Sequence, residues 1–251
     1  MSRRRWIADE FSADRAALTG SHAAHLARTL RARVGQEFEV ACGDQVRRAT
    51  IASVADDRVE FALGEEITAS SEVPITLLLA VFKFDRMEWA IEKVTELNVT
   101  NIIPVIARRT EKHLAAAAEK RVQRWRRIAR EASEQSRRAA LPGIAAPVKL
   151  SEALKLPIFS IAPDQDEDAK TPAALRIVLD ETEREASLGD ILHAHPNLQS
   201  LALAVGPEGG WASDELRSFA ASQWVPASLG ATVLRAETAA IAALAIARAA
   251  T

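Results

Sequence analysis

Two glycine-bearing stretches in the last fifth of the chain carry the residue types best suited to hold a ligand. The first, Gly206-Pro207-Glu208-Gly209-Gly210, follows an apolar run at residues 201–205 that reads as a buried parallel strand. Glycines at a strand exit let backbone N–H groups approach a bound molecule with no side chain between. Pro207 stiffens the turn by fixing one φ. Ser213, followed by Asp214 and Glu215, is placed to cap the next helix with acids in its first turn. The second stretch, residues 229–239, repeats the design with a short strand, Gly230 and a long helix opening near Glu237. Taken singly, each is equally an ordinary strand-to-helix turn. Taken together, they place a ligand pocket at the carboxyl ends of neighbouring parallel strands.

Composition limits what that pocket serves. A chain of 251 residues, 48% hydrophobic and 26% charged, has room for a small domain plus a medium one, both well cored. The single cysteine, Cys42, excludes an internal disulfide and a multi-cysteine zinc site, and it fits a cytoplasmic protein. The histidines show no metal spacing beyond a lone pair at His193 and His195, so no metal site is expected. No apolar run reaches about eighteen residues, so no membrane partner is expected. There is no Gly-x-Gly-x-x-Gly, P-loop or nucleophile-elbow serine, which disfavours Rossmann enzymes, NTPases and serine hydrolases. Net charge is only −2, but residues 1–35 hold seven Lys/Arg against three acids, and residues 108–138 hold eleven against four. That distribution suits a protein that docks a polyanion on one side.

Several elements must position these loops. Residues 1–70 alternate in the manner of strands at 36–41 and 58–63, turn at Gly43-Asp44, and include one helical segment at 22–33 stopped near Gly35. This reads as a small β-barrel. The polar stretch 69–74, closed by Pro74, is the expected boundary. Beyond it, strands at 75–82, 102–107, 158–162, 176–180 and 201–205 alternate with helices at 86–97 and 114–138 and with those following the glycine loops. Such alternation predicts an α/β domain with a mostly parallel sheet over residues 74–251. The acidic stretch 163–171 reads as a solvated loop, and the apolar last helix as packed core.

The two glycine stretches together resemble the C-terminal signature of the SPOUT methyltransferases, and most closely the bacterial 16S ribosomal RNA uridine N3-methyltransferase family. Trp211 follows the first stretch, and Leu229-Gly230 with Val233-Leu234-Arg235-Ala236-Glu237-Thr238-Ala239 forms the second. Trp125, Ile128, Glu131, Glu134-Gln135-Ser136, Arg138 and Pro142 resemble a further run of that family, as do His25-Leu26, Arg28, Leu30-Arg31 and Gly35 nearer the start. Three positions depart from its pattern. Phe84 and Asn98 stand where glycine is usual, and Ala231 where arginine or proline is common. Asn tolerates the left-handed backbone, so a helix C-cap at Asn98 is still expected.

The resemblance implies a PUA-like RNA-binding barrel over residues 1–70, a SPOUT domain with a deep trefoil knot over 74–251, and a homodimer. It implies S-adenosylmethionine as cofactor and 16S ribosomal RNA or the small ribosomal subunit as partner. A transfer RNA substrate, or an inactive RNA-binding assembly factor, is the alternative. Backbone and small side chains of Leu179, Val205, Gly206, Pro207, Glu208, Gly209, Gly210, Leu229, Gly230 and Leu234 would surround the donor. Arg4, Arg5, His25, Arg28, Arg31, Lys83, Arg86 and Arg138 are the RNA-binding candidates.

Methylation of uridine N3 needs its proton removed, or the loss stabilised, with N3 in line with the methyl carbon. Arg235 is the first catalytic candidate. It can stabilise a developing uridinate oxygen, hold the donor's carboxylate, or pair structurally with Glu237 or Glu208. Glu237, the second, is either a base or a helix cap. A carboxylate at a helix N-terminus is a weak base.

Overall fold

The computed structural model describes residues 5–43, 45–67, 72–159 and 174–251. The expected acidic loop at 163–171, Asp44 of the expected turn, residues 69–71 of the expected boundary and Arg4 lie outside them. The chain divides into two compact units, one formed by Met1–Ser71 with Arg130–Leu141, the other by Glu72–Ala129 with Pro142–Thr251.

In the first unit, β1 (Trp6–Ile7), β2 (Glu10–Phe11), β3 (Arg15–Thr19), β4 (Glu37–Cys42), β5 (Gln45–Val54) and β6 (Arg58–Ile67) form one curled sheet in the order β1-β4-β5-β6-β3-β2. All neighbours are antiparallel except β1 with β4. Period-two alternation buries Trp6, Leu18, Val40, Ile51, Val59 and Phe61 in one core. The helix expected at 22–33 is shorter and wider. It is an α-turn, α1 (Gly20–Ala24), continued by a π-turn at His25–Thr29. Arg31 at φ 52 then takes the left-handed conformation and ends it before Gly35.

Residues 130–141 are distant in sequence but belong to this unit through specific ties. Arg130 pairs with Asp9 at 2.9 Å and donates to the Ile7 carbonyl at 2.6 Å. Arg137 and Arg5 both bond the Glu39 carboxylate, at 2.5 and 2.9 Å. The Arg137 bond chiefly holds that carboxyl below its ordinary range, with partial burial opposing it.

The second unit has a parallel sheet of β7 (Ile75–Ala80), β8 (Asn101–Ile106), β9 (Gly143–Ile144), β10 (Val148–Lys149), β11 (Ala174–Leu179), β12 (Ser200–Val205) and β13 (Val225–Ala227). Its order is β10-β8-β7-β12-β11-β13, with β9 also on β8. The central strands are buried on both faces, as a doubly covered parallel sheet requires. Ile75, Leu77 and Leu79 face a core with α2 (Phe84–Glu96) and α8 (Ala236–Ala250), while Leu78 and Ala80 face a second core with Trp211, Phe219 and Trp224.

Asn98 ends α2 at φ 62, the left-handed cap expected there. Phe84 opens α2, with its ring 6.2 Å from that of Trp125 and the Arg121 guanidinium 4.6 Å above it. A side chain in place of the usual glycine therefore gains packing and a cation–π contact.

Two expected elements differ. The helix at 114–138 is broken into α3 (Lys112–Ala117), a 3₁₀ turn at Ala118–Arg121 and α4 (Val122–Gln135), and Arg137 at φ 61 follows its end. The strand at 158–162 is not formed at its described end. Pro157–Phe159 is a 3₁₀ turn closed by Phe159 N–H on the Leu156 carbonyl at 2.9 Å, and Phe159 packs on Trp224 with ring centroids 5.6 Å apart. Proline at the turn's start and burial of Phe159 override the apolar run. Residues 160–162 lie outside the described set.

Candidate functional site

A cavity of about 360 Å³ opens at the carboxyl ends of β11, β12 and β13 in the second unit. This is where an open parallel sheet offers backbone groups unpaired by neighbouring strands. Three loops wall it. One follows Leu179 through Asp180, Glu181, Thr182 and Arg184. The next runs from Gly206 to Trp211, and the third from Ser228 to Leu234. Ala236 and Ala239, on the first turns of α8, complete the lining. Its volume falls within the roughly 300–1,000 Å³ of small-molecule sites.

The first glycine loop folds back on itself. Gly210 N–H bonds the Pro207 carbonyl at 2.8 Å, with Gly210 at φ 70. A Cβ on Gly206 would stand 3.3 Å from the Trp211 indole nitrogen and 3.4 Å from the Gly210 carbonyl carbon. Glycine at 206 is thus favoured by close approach, since a Cβ would make Trp211 or the turn give by a few tenths of an ångström, and at 210 by backbone conformation. Gly230, at φ 116, has nothing within 4 Å of an added Cβ. The second loop therefore presents bare backbone to open space.

The helix after the first loop, α7 (Ser213–Ala221), begins differently from the expectation. Ser213 is its first residue, and Ala212 stands at the N-cap. The side chain of Glu215 reaches back instead, accepting from Ala212 N–H at 2.9 Å and from Arg108 N–H at 2.8 Å. It satisfies an orphan amide of the helix start. It also ties the segment after β8 to the first glycine loop, where Arg109 donates to the Gly209 carbonyl and joins the cavity wall.

At the far end of α8, Arg248 donates to the carbonyls of Val73 (2.6 Å), Leu97 (3.2 Å) and Asn98. Burial pushes its pKa below the ordinary arginine value. The same helix that lines the cavity is thus clamped onto the C-cap of α2.

Leu179, Val205, Gly206, Pro207, Glu208, Gly210, Leu229, Gly230 and Leu234 all line this cavity. Gly209 is not among the lining residues. An added Cβ there would meet Arg109 Cδ at 3.3 Å. Arg235 is the N-cap residue of α8, exposed, between two lining residues, Leu234 and Ala236. Its side chain makes no hydrogen bond or ion pair among the described residues, so it pairs with neither Glu237 nor Glu208. Glu237 is 5% exposed and faces Arg86, Oε1 to guanidinium 3.4 Å, with Oε2 buried and unpartnered among the described residues.

The RNA-binding candidates fall into two groups. Arg5, Arg86 and Arg138 are committed inside their units: Arg5 to Glu39, Arg86 to Glu237, and Arg138, 8% exposed, to the Ala140 carbonyl at 3.1 Å. Arg28, Arg31 and Lys83 are exposed, and His25 is half-buried with its ring 6.1 Å from that of Trp6.

Sequence reasoning missed Arg109, Glu181, Arg184 and Trp211 in the lining. A signal for the first two was available. Each follows an apolar strand at its carboxyl end, the rule applied only to the two glycine loops.

Among the described residues no group of three or more His, Cys, Asp or Glu is placed to hold a metal, and no helix is long and apolar enough to cross a membrane.

Residues 69–248 match the RNA methyltransferase domain family. The chain is 32% identical over 231 residues to ribosomal RNA small subunit methyltransferase E of a Synechocystis species, covering 91% of this chain and 71% of that protein. Its structure is similar to that of ribosomal RNA small subunit methyltransferase E from Neisseria gonorrhoeae bound to S-adenosylmethionine. That likeness has a TM-score of 0.78, 29% identity, and coverage of 96% of this chain and 95% of the other. It is similar also to a Legionella pneumophila methyltransferase solved with the same cofactor, at TM-score 0.77 and 27% identity over 98% of this chain and 97% of the other. Loops, cavity and likeness agree, and the chain belongs to the RNA methyltransferase domain family.

Proposed function

We propose that this chain transfers the methyl group of S-adenosylmethionine to N3 of a uridine in 16S ribosomal RNA of the small subunit, in the cytoplasm. The observation that carries the reading is the cavity at the ends of β11, β12 and β13, walled by both glycine loops. It belongs to a chain similar over nearly its whole length to a protein solved with that donor. The residues fit the cofactor. Gly230 leaves open space where any side chain would project, and the apolar Leu179, Val205, Leu229 and Ala236 suit a nucleoside face. The donor supplies an electrophilic methyl, and the protein has to hold, orient and lower charge.

Backbone amides and carbonyls of the loops at 206–210 and 228–234 bind the donor. Arg235, a permanent and unpaired cation beside the cavity, stabilises the anionic uridine. Glu237 is buried against Arg86 at the start of α8, an arrangement that supports a positioning role better than a basic one. Incubation of the protein with donor and small-subunit ribosomal RNA, followed by nucleoside mass spectrometry, tests the reading. N3-methyluridine at one site is expected. Methylation of transfer RNA only, or donor binding without transfer to any RNA, would replace it with the corresponding alternative.

Docking of that RNA engages the first unit, a curled sheet read as PUA-like. Arg28 and Arg31 carry it, because they are exposed and phosphate contacts release counterions. Arg28→Ala and Arg31→Ala should each lower the slope of log affinity against log salt by about one. Unchanged slopes in both would take the RNA surface elsewhere. Arg28 also pairs with Asp56 at 2.9 Å, but that pair is exposed and adds little to stability.

The knot and the homodimer belong to the same reading. Support for the dimer is the composition of α8, where Ile241 and Ile246 stay half-exposed and Ala245 exposed on a helix with few polar residues. Sedimentation showing only monomer at micromolar concentration would remove it.

A further inference from the structure

We propose that Glu181 lets the cavity distinguish the sulfonium-bearing donor from its neutral thioether product. The inference rests on the cavity being the donor site. Among the described residues five charged side chains line it: Asp180, Glu181, Glu208, Arg109 and Arg184. Most are already committed. Arg109 donates to the Gly209 carbonyl, and Arg184 to the carbonyls of Glu181 and Glu183 at 2.8 and 3.2 Å. Asp180 accepts from Thr182 N–H and Oγ1, both at 2.8 Å.

The carboxylate of Glu181 makes no hydrogen bond or ion pair among the described residues. Its Oε1 lies 3.1 Å from where a Cβ would stand on Gly210, so it overhangs the turn that closes the first glycine loop. Glu208 is the other lining carboxylate with no partner among the described residues; both are exposed, and it is Glu181 whose carboxylate oxygens stand against Gly210 at that turn. Among the described lining residues three carboxylates stand against two guanidiniums, and the third guanidinium, Arg235 beside the cavity, is assigned to the acceptor uridine. Much of the remaining wall is apolar, which weakens screening.

A sulfonium is a fixed cation with no N–H or O–H to donate. A hydrogen-bonding group cannot select it, but an unpaired anion close by can. The thioether product has nearly the same shape and lacks that charge. Glu181 therefore holds the donor and lets the product go. An opposite charge within about 4–6 Å typically changes such an equilibrium by one to three powers of ten. Glu181 is exposed, so solvent screening reduces the effect to about three- to fivefold.

The test is calorimetric titration of the full-length protein with S-adenosylmethionine and, separately, S-adenosylhomocysteine. The same titrations are run on Glu181→Gln and on Glu185→Gln, an exposed neighbour outside the lining. Glu181→Gln should weaken donor binding about three- to fivefold and product binding less than about twofold, while Glu185→Gln leaves the ratio unchanged. Raising salt should move the wild-type ratio toward that of Glu181→Gln. Equal loss for both ligands would overturn the inference, because Glu181 would then act on the ribose or amino-acid part they share. No change for either would overturn it as well. If the wild-type protein binds neither ligand, the donor-site reading itself fails, a result separate from both. Melting temperature should not move, since the carboxylate has no partner to lose among the described residues.

Discussion

Arg235→Ala is expected to slow methyl transfer by roughly 10²–10³-fold, about 3–4 kcal/mol, the usual cost of losing one preorganised donor to a developing anion. The fold should hardly notice. Arg235 is exposed, caps α8 through its backbone with φ −66 and ψ 152, and gives its carbonyl to Ala239 N–H at 2.8 Å. Alanine keeps that backbone bond, and no side-chain partner among the described residues is orphaned, so stability should change by no more than about 0.5 kcal/mol. Single-turnover rates at saturating donor, alongside thermal melts, measure both quantities. Arg235→Lys should recover only part of the rate, because an ammonium cannot reproduce the planar fork. A normal rate in the alanine variant would remove Arg235 from the reaction. A large drop in melting temperature would restore a structural role that the absence of an ion pair argues against.

Gly206→Val should weaken donor binding roughly 100-fold while leaving the protein folded. The Cβ would stand 3.3 Å from the Trp211 indole nitrogen and 3.4 Å from the Gly210 carbonyl carbon. Trp211 is 6% exposed and packed on Phe219 with ring centroids 4.9 Å apart, so it has little room to yield. The turn must move instead, and with it the backbone groups at 206–210. Loss of two such hydrogen bonds to a ligand is worth about 3 kcal/mol, or roughly 100-fold in Kd. Overpacking costs the fold about 1–3 kcal/mol. Titration calorimetry with circular dichroism as a control separates the two effects. Unchanged affinity would mean that the first glycine loop does not touch the donor.

Much of this was legible in the chain itself, for a local reason. Strand and helix periodicity, a left-handed Asn98 and paired glycine loops are properties of a few consecutive residues. They announced a β-rich first part, a parallel α/β second part and glycine loops that border a cavity at strand ends. What the sequence could not show was whatever joins distant segments. The strand β13 is three residues long and contains Pro226, so it gives almost no periodic signal, yet it pairs with β11 and sets the third wall of the cavity. Arg109 and Glu181 enter the cavity lining because β8, β11 and β12 end on the same side of the sheet. Residues 130–141 belong to the first unit because Arg130 and Arg137 find Asp9 and Glu39 roughly a hundred or more positions away. Arg235 and Glu237 are two residues apart and carry full charges of opposite sign. Tertiary structure alone made one an exposed, unpaired cation and the other a buried partner of Arg86. Helical geometry turns successive residues about 100° apart, and only the packing of α2 decides which of those directions is protein and which is open.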